Sequence, residues 1–491
     1  MPSPPPSPRS TTWRTPPCSP SRRRRPDSRS PALRPTGGHF DVAALTALQA
    51  PAAQAAAGTA SAAASVDAID TPGLLPPLAR QIDELRGMLD TARTATDALN
   101  RATALMPDIL GASGPRNYLV VFQNNAEWRS LGGIIGAMAM IHTENGEMSL
   151  TAQGSSSDFT RYRDSVVPLS DEITAIMGQK PGVYIQNPTQ IPDFAVGAPI
   201  AQEMWQRHTG VRVDGVISLD PVTLSYVLAA TGPITLPTGD VLTSDNAVAL
   251  LLNGVYERYS VPAEQDAFFK AAAAIVFQTL AKGSVDPAKL VEALARAGAE
   301  NRVLVWSADP AEQAVLDGTT LQGGLPVTDA TTTGFGVYVN DGTGSKMDFY
   351  THLGVGVGWC TDTEGSPDAA LTVTVRSDAP ADAASLPSYI TGGGGFGVRA
   401  GITRTVAYLY LPAGSEVVFS TSDGPSSAPG FGSGTNEGRP VLTWTTDLPP
   451  GGSATARIRV RTPQTEGLTA RVTPVIPANA ETISASCSSA G

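Results

Sequence analysis

The residues best suited to chemistry lie in one stretch, QNNAEWRSLGGIIG, at positions 123–136. Asn124, Asn125, Glu127 and Arg129 place two amides, a carboxylate and a guanidinium within six residues. Arg129 offers a planar five-donor fork that grips an anion. Gly132, Gly133 and Gly136 lack the Cβ that holds a ligand or a second backbone away. One reading is therefore a binding site. The other is internal: the amides and Glu127 satisfy backbone groups around a tight chain crossing, and Arg129 pairs with a carboxylate such as Glu127 or Asp158.

Other chemistry is sparse. The chain has no HExxH, no G-x-S-x-G elbow and no P-loop. Its four histidines, at 39, 142, 208 and 352, are too scattered to suggest a metal cluster, so no metal ligands are assigned. Asp158, Asp164 and Asp193 share a polar region that could hold a divalent cation or simply be solvated. Tyr256 and Tyr259 suit either a sugar face or a half-buried helix face. A G-x-G-x-x-G match at Gly392, Gly394 and Gly397 lacks the strand-to-helix setting that cradles a pyrophosphate and reads as a loop. No catalytic residue is assigned, and whether the chain is an enzyme stays open. Of the three cysteines, Cys360 and Cys487 bracket the C-terminal region, which allows a disulfide outside the cytoplasm; the alternative is two free thiols.

The elements that must position these groups follow from periodicity. Residues 39–111 read as a helical hairpin, with apolar residues from Leu78 to Met106 mostly three, four and seven apart. From 112 to 330 strands and helices alternate, which implies a central α/β domain. Asn117–Gln123 is its buried strand. Ile134–His142 follows, and Asn145-Gly146 marks a hairpin turn. Asp220-Pro221 reads as an N-cap followed by Pro at the first helical position. Residues 154–200, polar with scattered Pro, read as a long loop system. From 331 to 491 short runs such as LTVTV and TVAYLYL, separated by Pro- and Gly-rich turns, predict an immunoglobulin-like β-sandwich. The fold class expected is α+β and multidomain.

Residues 1–38 form a basic leader. Residues 1–36 carry eight Arg and one Asp, a net of +7, which leaves −18 for the remainder. The leader has too few apolar residues to fold and reads as disordered, or as the product of a mis-set start codon. An acidic body of this kind does not suit nucleic acid.

The segments NYLVVFQNNAEWRSLGGIIGA, VDGVISLDPVTLSYVLAATGPITLPTG, LLNGVYERY and NDGTGSKMDFY resemble the bacterial domain-of-unknown-function 4012 family, from about residue 40 to the C-terminus. That resemblance implies an extracytoplasmic cell-envelope protein anchored by an N-terminal membrane helix, here missing. The order VDGVISLD, TGPITL, LTSDNAVALLLNGVYERY is also similar, more weakly, to the second half of the LytR-CpsA-Psr domain. Enzymes of that class transfer polyprenyl-pyrophosphate-linked glycans to the wall, using arginines on the pyrophosphate and carboxylates on magnesium. Arg258 matches one arginine of that pattern, Asp266 an acidic position and Arg129 the early arginine. Phe269 and Ala272 replace the following arginines, and Gly132 and Gly133 stand where a metal-binding Asp is found. The resemblance thus implies a degenerate domain that binds or scaffolds a glycan or lipid-linked precursor without a cofactor. Two alternatives are an active phosphotransferase or pyrophosphohydrolase, in which case magnesium is expected, and a purely structural or adhesive surface protein.

Overall fold

A computed structural model describes residues 38–283, 285–361, 367–425, 430–463 and 466–487. Residues 1–37 of the predicted leader lie outside them. The first described elements are α1 (Val42–Ala47), α2 (Gln49–Asp67) and α3 (Pro76–Ile109). Asp41 caps α1 through the Ala44 amide, and the two prolines at 76 and 77 open α3, where missing N–H groups cost nothing. The helices α2 and α3 lie against each other. Thr59 and Thr96 share a 2.6 Å hydroxyl contact, and Arg86 donates to the Ile69 carbonyl at 2.7 Å.

The first sheet contains β1 (Arg116–Arg129), β2 (Gly132–Glu144), β3 (Glu147–Ser155), β4 (Gly215–Leu219) and β5 (Leu304–Ser307), in the order β3-β2-β1-β4-β5. Only β1 and β4 run parallel within it. Asn145 and Gly146 both have positive φ, 48° and 87°, as the predicted tight β2–β3 turn requires. The helices attached to this sheet include α4 (Phe194–Thr209), α5 (Pro221–Thr231), α6 (Pro262–Ala281), α7 (Pro287–Ala299) and α8 (Pro310–Leu316). Asp220 caps α5 as read from the sequence, accepting from the Thr223 amide at 2.7 Å.

The loop system expected over 154–200 is a correction. It holds helical turns at Asp171–Met177 and Lys180–Val183 and the first part of α4. Ile173, Met177, Ile185 and Ile191 are all buried in the apolar cluster of the α/β layer that contains Trp205, and Val183 is buried as well. These apolar residues follow no single period, so the pattern carried no helical or strand signal, yet each finds a pocket.

The C-terminal strands are β6 (Thr333–Asp341), β7 (Thr351–Thr361), β8 (Pro367–Ser377), β9 (Thr403–Tyr410), β10 (Glu416–Asp423), β11 (Gly432–Asn436), β12 (Arg439–Leu448), β13 (Ser453–Arg461), β14 (Leu468–Val472) and β15 (Ala480–Thr482). They make two five-stranded sheets, β10-β13-β8-β7-β15 and β11-β12-β9-β6-β14. Facing side chains such as Val337, Leu371, Leu409 and Ile458 fill the space between them. This alternation of buried and exposed residues is that of a β-sandwich.

The sandwich and the α/β layer share cores. Tyr338, Tyr408, Tyr410 and Val441 turn the other way, into the apolar cluster of the first sheet. Trp128, at the end of β1, is fully buried in the sandwich core. Every residue of β6 is buried, because both faces of that strand are covered.

Candidate functional site

Strand β1 carries the QNNAEWRS stretch past the point where regular pairing stops. Asn124 pairs with Ile134, but the next paired residue is Trp128, opposite Gly133. Asn125, Ala126 and Glu127 therefore bulge out of the ladder, which re-aims their side chains. The glycines explain how. A Cβ on Gly133 would collide with the Asn124 carbonyl, and Gly132 has a φ of +132°. The close approach anticipated at these glycines is made, at Gly133 by the chain's own backbone and at Gly132 by the Gln123 side chain.

Each polar side chain of this stretch meets a partner from elsewhere in the fold, although the Asn125 Oδ1 itself is buried without a hydrogen bond among the described residues. Asn124 donates to the Tyr256 hydroxyl at 2.7 Å and accepts from the Ala126 amide at 3.0 Å. Asn125 donates to Asp220 at 3.2 Å and to the Pro474 carbonyl at 3.0 Å. Asp220 in turn binds the buried Arg302 at 2.8 Å, and Arg302 donates to the Val475 carbonyl at 2.7 Å. Glu127 forms an ion pair with Lys346. The Lys346 ammonium sits over the rings of Tyr256 and Tyr389, 4.6 Å and 4.3 Å from their centroids. Arg129 donates to Asn187 at 3.0 Å and to the Trp128 carbonyl at 2.6 Å.

The turn 341–346 comes from the NDGTGSK motif. Asp341 accepts from the Thr343 amide at 2.9 Å and the Gly344 amide at 2.5 Å, folding the turn around its own carboxylate. Asp348 accepts from the Trp128 amide at 2.8 Å, and Asn340 and Ser130 exchange two hydrogen bonds at 3.1 and 3.0 Å. Gly392, Gly394 and Gly397, all with positive φ, follow a short helical turn at Ser388–Thr391, and the next element after them is strand β9 rather than a helix whose start could receive a phosphate. The helical turn before these glycines is held to the turn 341–346, with the Lys346 amide donating to the Ile390 carbonyl at 2.7 Å.

Burial sets the electrostatics. It pushes the Asp348 carboxyl well above its usual range, helped by the charge of Asp341, and raises Asp341 for the same reason. Burial works against the Lys346 ammonium. The charge of Glu127, with Tyr256 and Tyr389, outweighs it and holds the lysine above its ordinary value.

The remaining candidates lie elsewhere. Arg258 is exposed and paired with Asp240 at 2.5 Å. Asp266, in the first turns of α6, accepts from Ser155 at 2.9 Å and Ser157 at 2.8 Å. The two arginines share no hydrogen-bond or ion-pair partner among the described residues. Neither carboxylate weighed as an internal partner of Arg129 takes that role: Glu127 holds Lys346, and Asp158 accepts from the Ser155 amide at 2.7 Å. Asp193 caps α4, and Asp164 pairs at the surface with Arg163 at 3.8 Å. Among the described residues no group of three or more His, Cys, Asp or Glu is placed to hold a metal ion. Sequence reasoning missed Lys346, Asp341 and Asp348 as partners of the bulge. The signal available was that NDGTGSKMDFY stood beside NNAEWRS among the family-like segments.

Cys360 and Cys487 form a disulfide with Cα atoms 5.5 Å apart, tying the end of β7 to the segment after β15. Cys18 lies outside the described residues.

Fold and site together define a mixed α/β protein whose bulged central strand is held by a turn of a neighbouring β-sandwich. Residues 113–256, which contain that strand and the bulge, match the model of a family described as a protein of unknown function (DUF4012). No curated protein matches the chain. Among solved structures, the chain is similar to the transcriptional regulator yvhJ from Bacillus subtilis, at 13% identity over 45% of this chain and 84% of that one. The TM-score is 0.25, too low for an argument about fold or function.

Proposed function

We propose that this chain is a non-catalytic, extracytoplasmic scaffold of the cell envelope, in which the NNAEWRS and NDGTGSK segments join two layers of one body. The observation that carries the reading is that Asn124, Asn125, Glu127 and Arg129 are each engaged by the chain itself, three of them across long sequence separations. A pyrophosphate site requires clustered cations; here Arg129 is committed inside the joint and Arg258 pairs with Asp240 at the surface. In this reading the α/β layer is a LytR-CpsA-Psr-like fold that has lost its pyrophosphate grip, and the sandwich is an immunoglobulin-like interaction module. The Cys360–Cys487 disulfide supports an oxidising compartment, and anchoring to the membrane by a further segment belongs to the same reading.

The test is binding of undecaprenyl pyrophosphate to the purified chain, with and without magnesium, beside Arg129→Ala and Arg258→Ala. The expected result is no saturable binding, a lowered melting temperature for Arg129→Ala and none of that loss for Arg258→Ala. Saturable binding abolished by Arg258→Ala would overturn the scaffold reading in favour of precursor binding. Turnover with magnesium would favour the phosphotransferase.

A further inference from the structure

Helix α3 carries two apolar seams, and its own hairpin uses one. Ile82, Leu89, Thr96 and Thr103, seven residues apart, are half-buried or buried. Thr96 meets Thr59 of α2, and the Thr103 carbonyl accepts from Gln49 of α2 at 3.1 Å. The second seam is offset from the first. Leu78, Leu85, Ala92 and Leu99 recur at seven, with Met88 and Ala95 between them at the alternating three-and-four spacing of a and d positions. Leu78, Leu85, Met88 and Leu99 are 47%, 39%, 63% and 45% exposed. Helix α2 cannot supply a counterpart, since its largest apolar side chain is Val66 and most of its length is alanine.

We infer that this second seam pairs with the same seam of another copy of the chain, so that two hairpins make a four-helix bundle. A heptad seam needs a partner helix of the same 3.5-residue spacing, and a two-fold axis supplies one by making the patch its own complement. The area suffices. From Leu78 to Leu99 the helix rises about 32 Å, and a face two helices wide spans about 20 Å. Joining two such faces removes on the order of 1,300 Å² from water, within the roughly 1,200–2,000 Å² of specific interfaces.

Charge argues against a lipid surface as the occupant. Membrane-lying helices carry a basic polar face, whereas the charges of α3 alternate in sign and are partly paired within the helix, Arg86 with Asp83 at 3.0 Å and Arg93 with Asp90 at 3.4 Å. The base of α3 is fixed to the body, with Arg101 donating to the Val315 carbonyl at 2.5 Å. Each bundle would therefore hold two bodies at one separation.

The experiment is sedimentation equilibrium on the full chain over a wide concentration range. Wild type is expected at twice the chain mass, and Leu85→Glu with Met88→Glu at once the chain mass, with an unchanged circular dichroism spectrum. Should that variant misfold, Met88→Cys in a Cys18→Ser background serves instead: residue 88 lies near the middle of the seam, so it meets its counterpart in either orientation and cross-links under mild oxidation. A monomeric wild type without that cross-link overturns the inference, as does a dimer indifferent to both glutamates. A monomer that co-sediments with phosphatidylglycerol vesicles through Leu85 and Met88 also overturns it, assigning the seam to lipid.

Discussion

Lys346 is the residue on which the joint turns, because removing it strands a charge. Lys346→Met leaves Glu127 buried without its partner, and breaking a buried pair in this way costs about 3–5 kcal/mol. Adding Glu127→Gln should restore a large part of that loss, so the two changes are strongly non-additive in chemical denaturation. Additive losses would show that Glu127 finds another partner. Asp348 sets a pH dependence of opposite sense to the usual carboxylate. Its folded pKa lies well above the ordinary value, so the folded state binds the extra proton. Its contribution to stability is then greatest below about pH 4, the unfolded value, and is lost as pH rises through the folded one. Asp348→Asn removes this slope and should raise the melting temperature near neutral pH. A variant with the wild-type pH profile would assign the slope to another group.

At the scale of elements, Asp220 links a helix start to the joint. Its carboxylate caps α5 and also receives Asn125 and Arg302. Asp220→Ala should therefore cost about 3–5 kcal/mol, as a broken buried ion pair does. Asp309→Ala at the half-buried cap of α8, which holds no ion pair among the described residues, should cost only about 1 kcal/mol. Equal losses in thermal melts would mean that Glu300 alone suffices for Arg302. The same element shows what the sequence could disclose. Asp220-Pro221 and Asn145-Gly146 were legible because a cap and a tight turn are local devices, fixed by neighbours in the chain. The bulge was half legible. Gly132 and Gly133 announced a close approach, but nothing local identified the other parties as the Gln123 side chain and Asn124's own carbonyl. Lys346 was illegible as a partner, since it lies in a Gly/Ser/Thr turn that reads as solvent-exposed and stands 219 residues from Glu127. Residues 154–200 were misjudged because their apolar residues fit separate pockets and follow no period.

For the whole molecule, the shared cores predict one cooperative transition. Trp128 lies in the sandwich core while Tyr338 and Tyr410 lie in that of the α/β layer, so neither layer can open without exposing the other. The disulfide spans 127 residues. Reducing it should lower stability by about 2–4 kcal/mol, shifting a single calorimetric peak downward without splitting it. Two separated peaks would show that the layers unfold independently.

The final strands carry a consequence for how the chain is made. β14 completes one sheet beside β6, β15 completes the other beside β7, and Thr473, between them, donates to the Ser130 carbonyl across 343 residues. The Pro474 and Val475 carbonyls then hold Asn125 and Arg302. Closure across such separations is slow, and here it must wait until the chain has been made past Val475. A ribosome that stops early, at any codon before about 468, releases a chain with two unfinished sheet edges and an open joint. Unpaired edges of that kind are templates for pairing between chains, so the segment 468–482 also shields the body from edge-to-edge association.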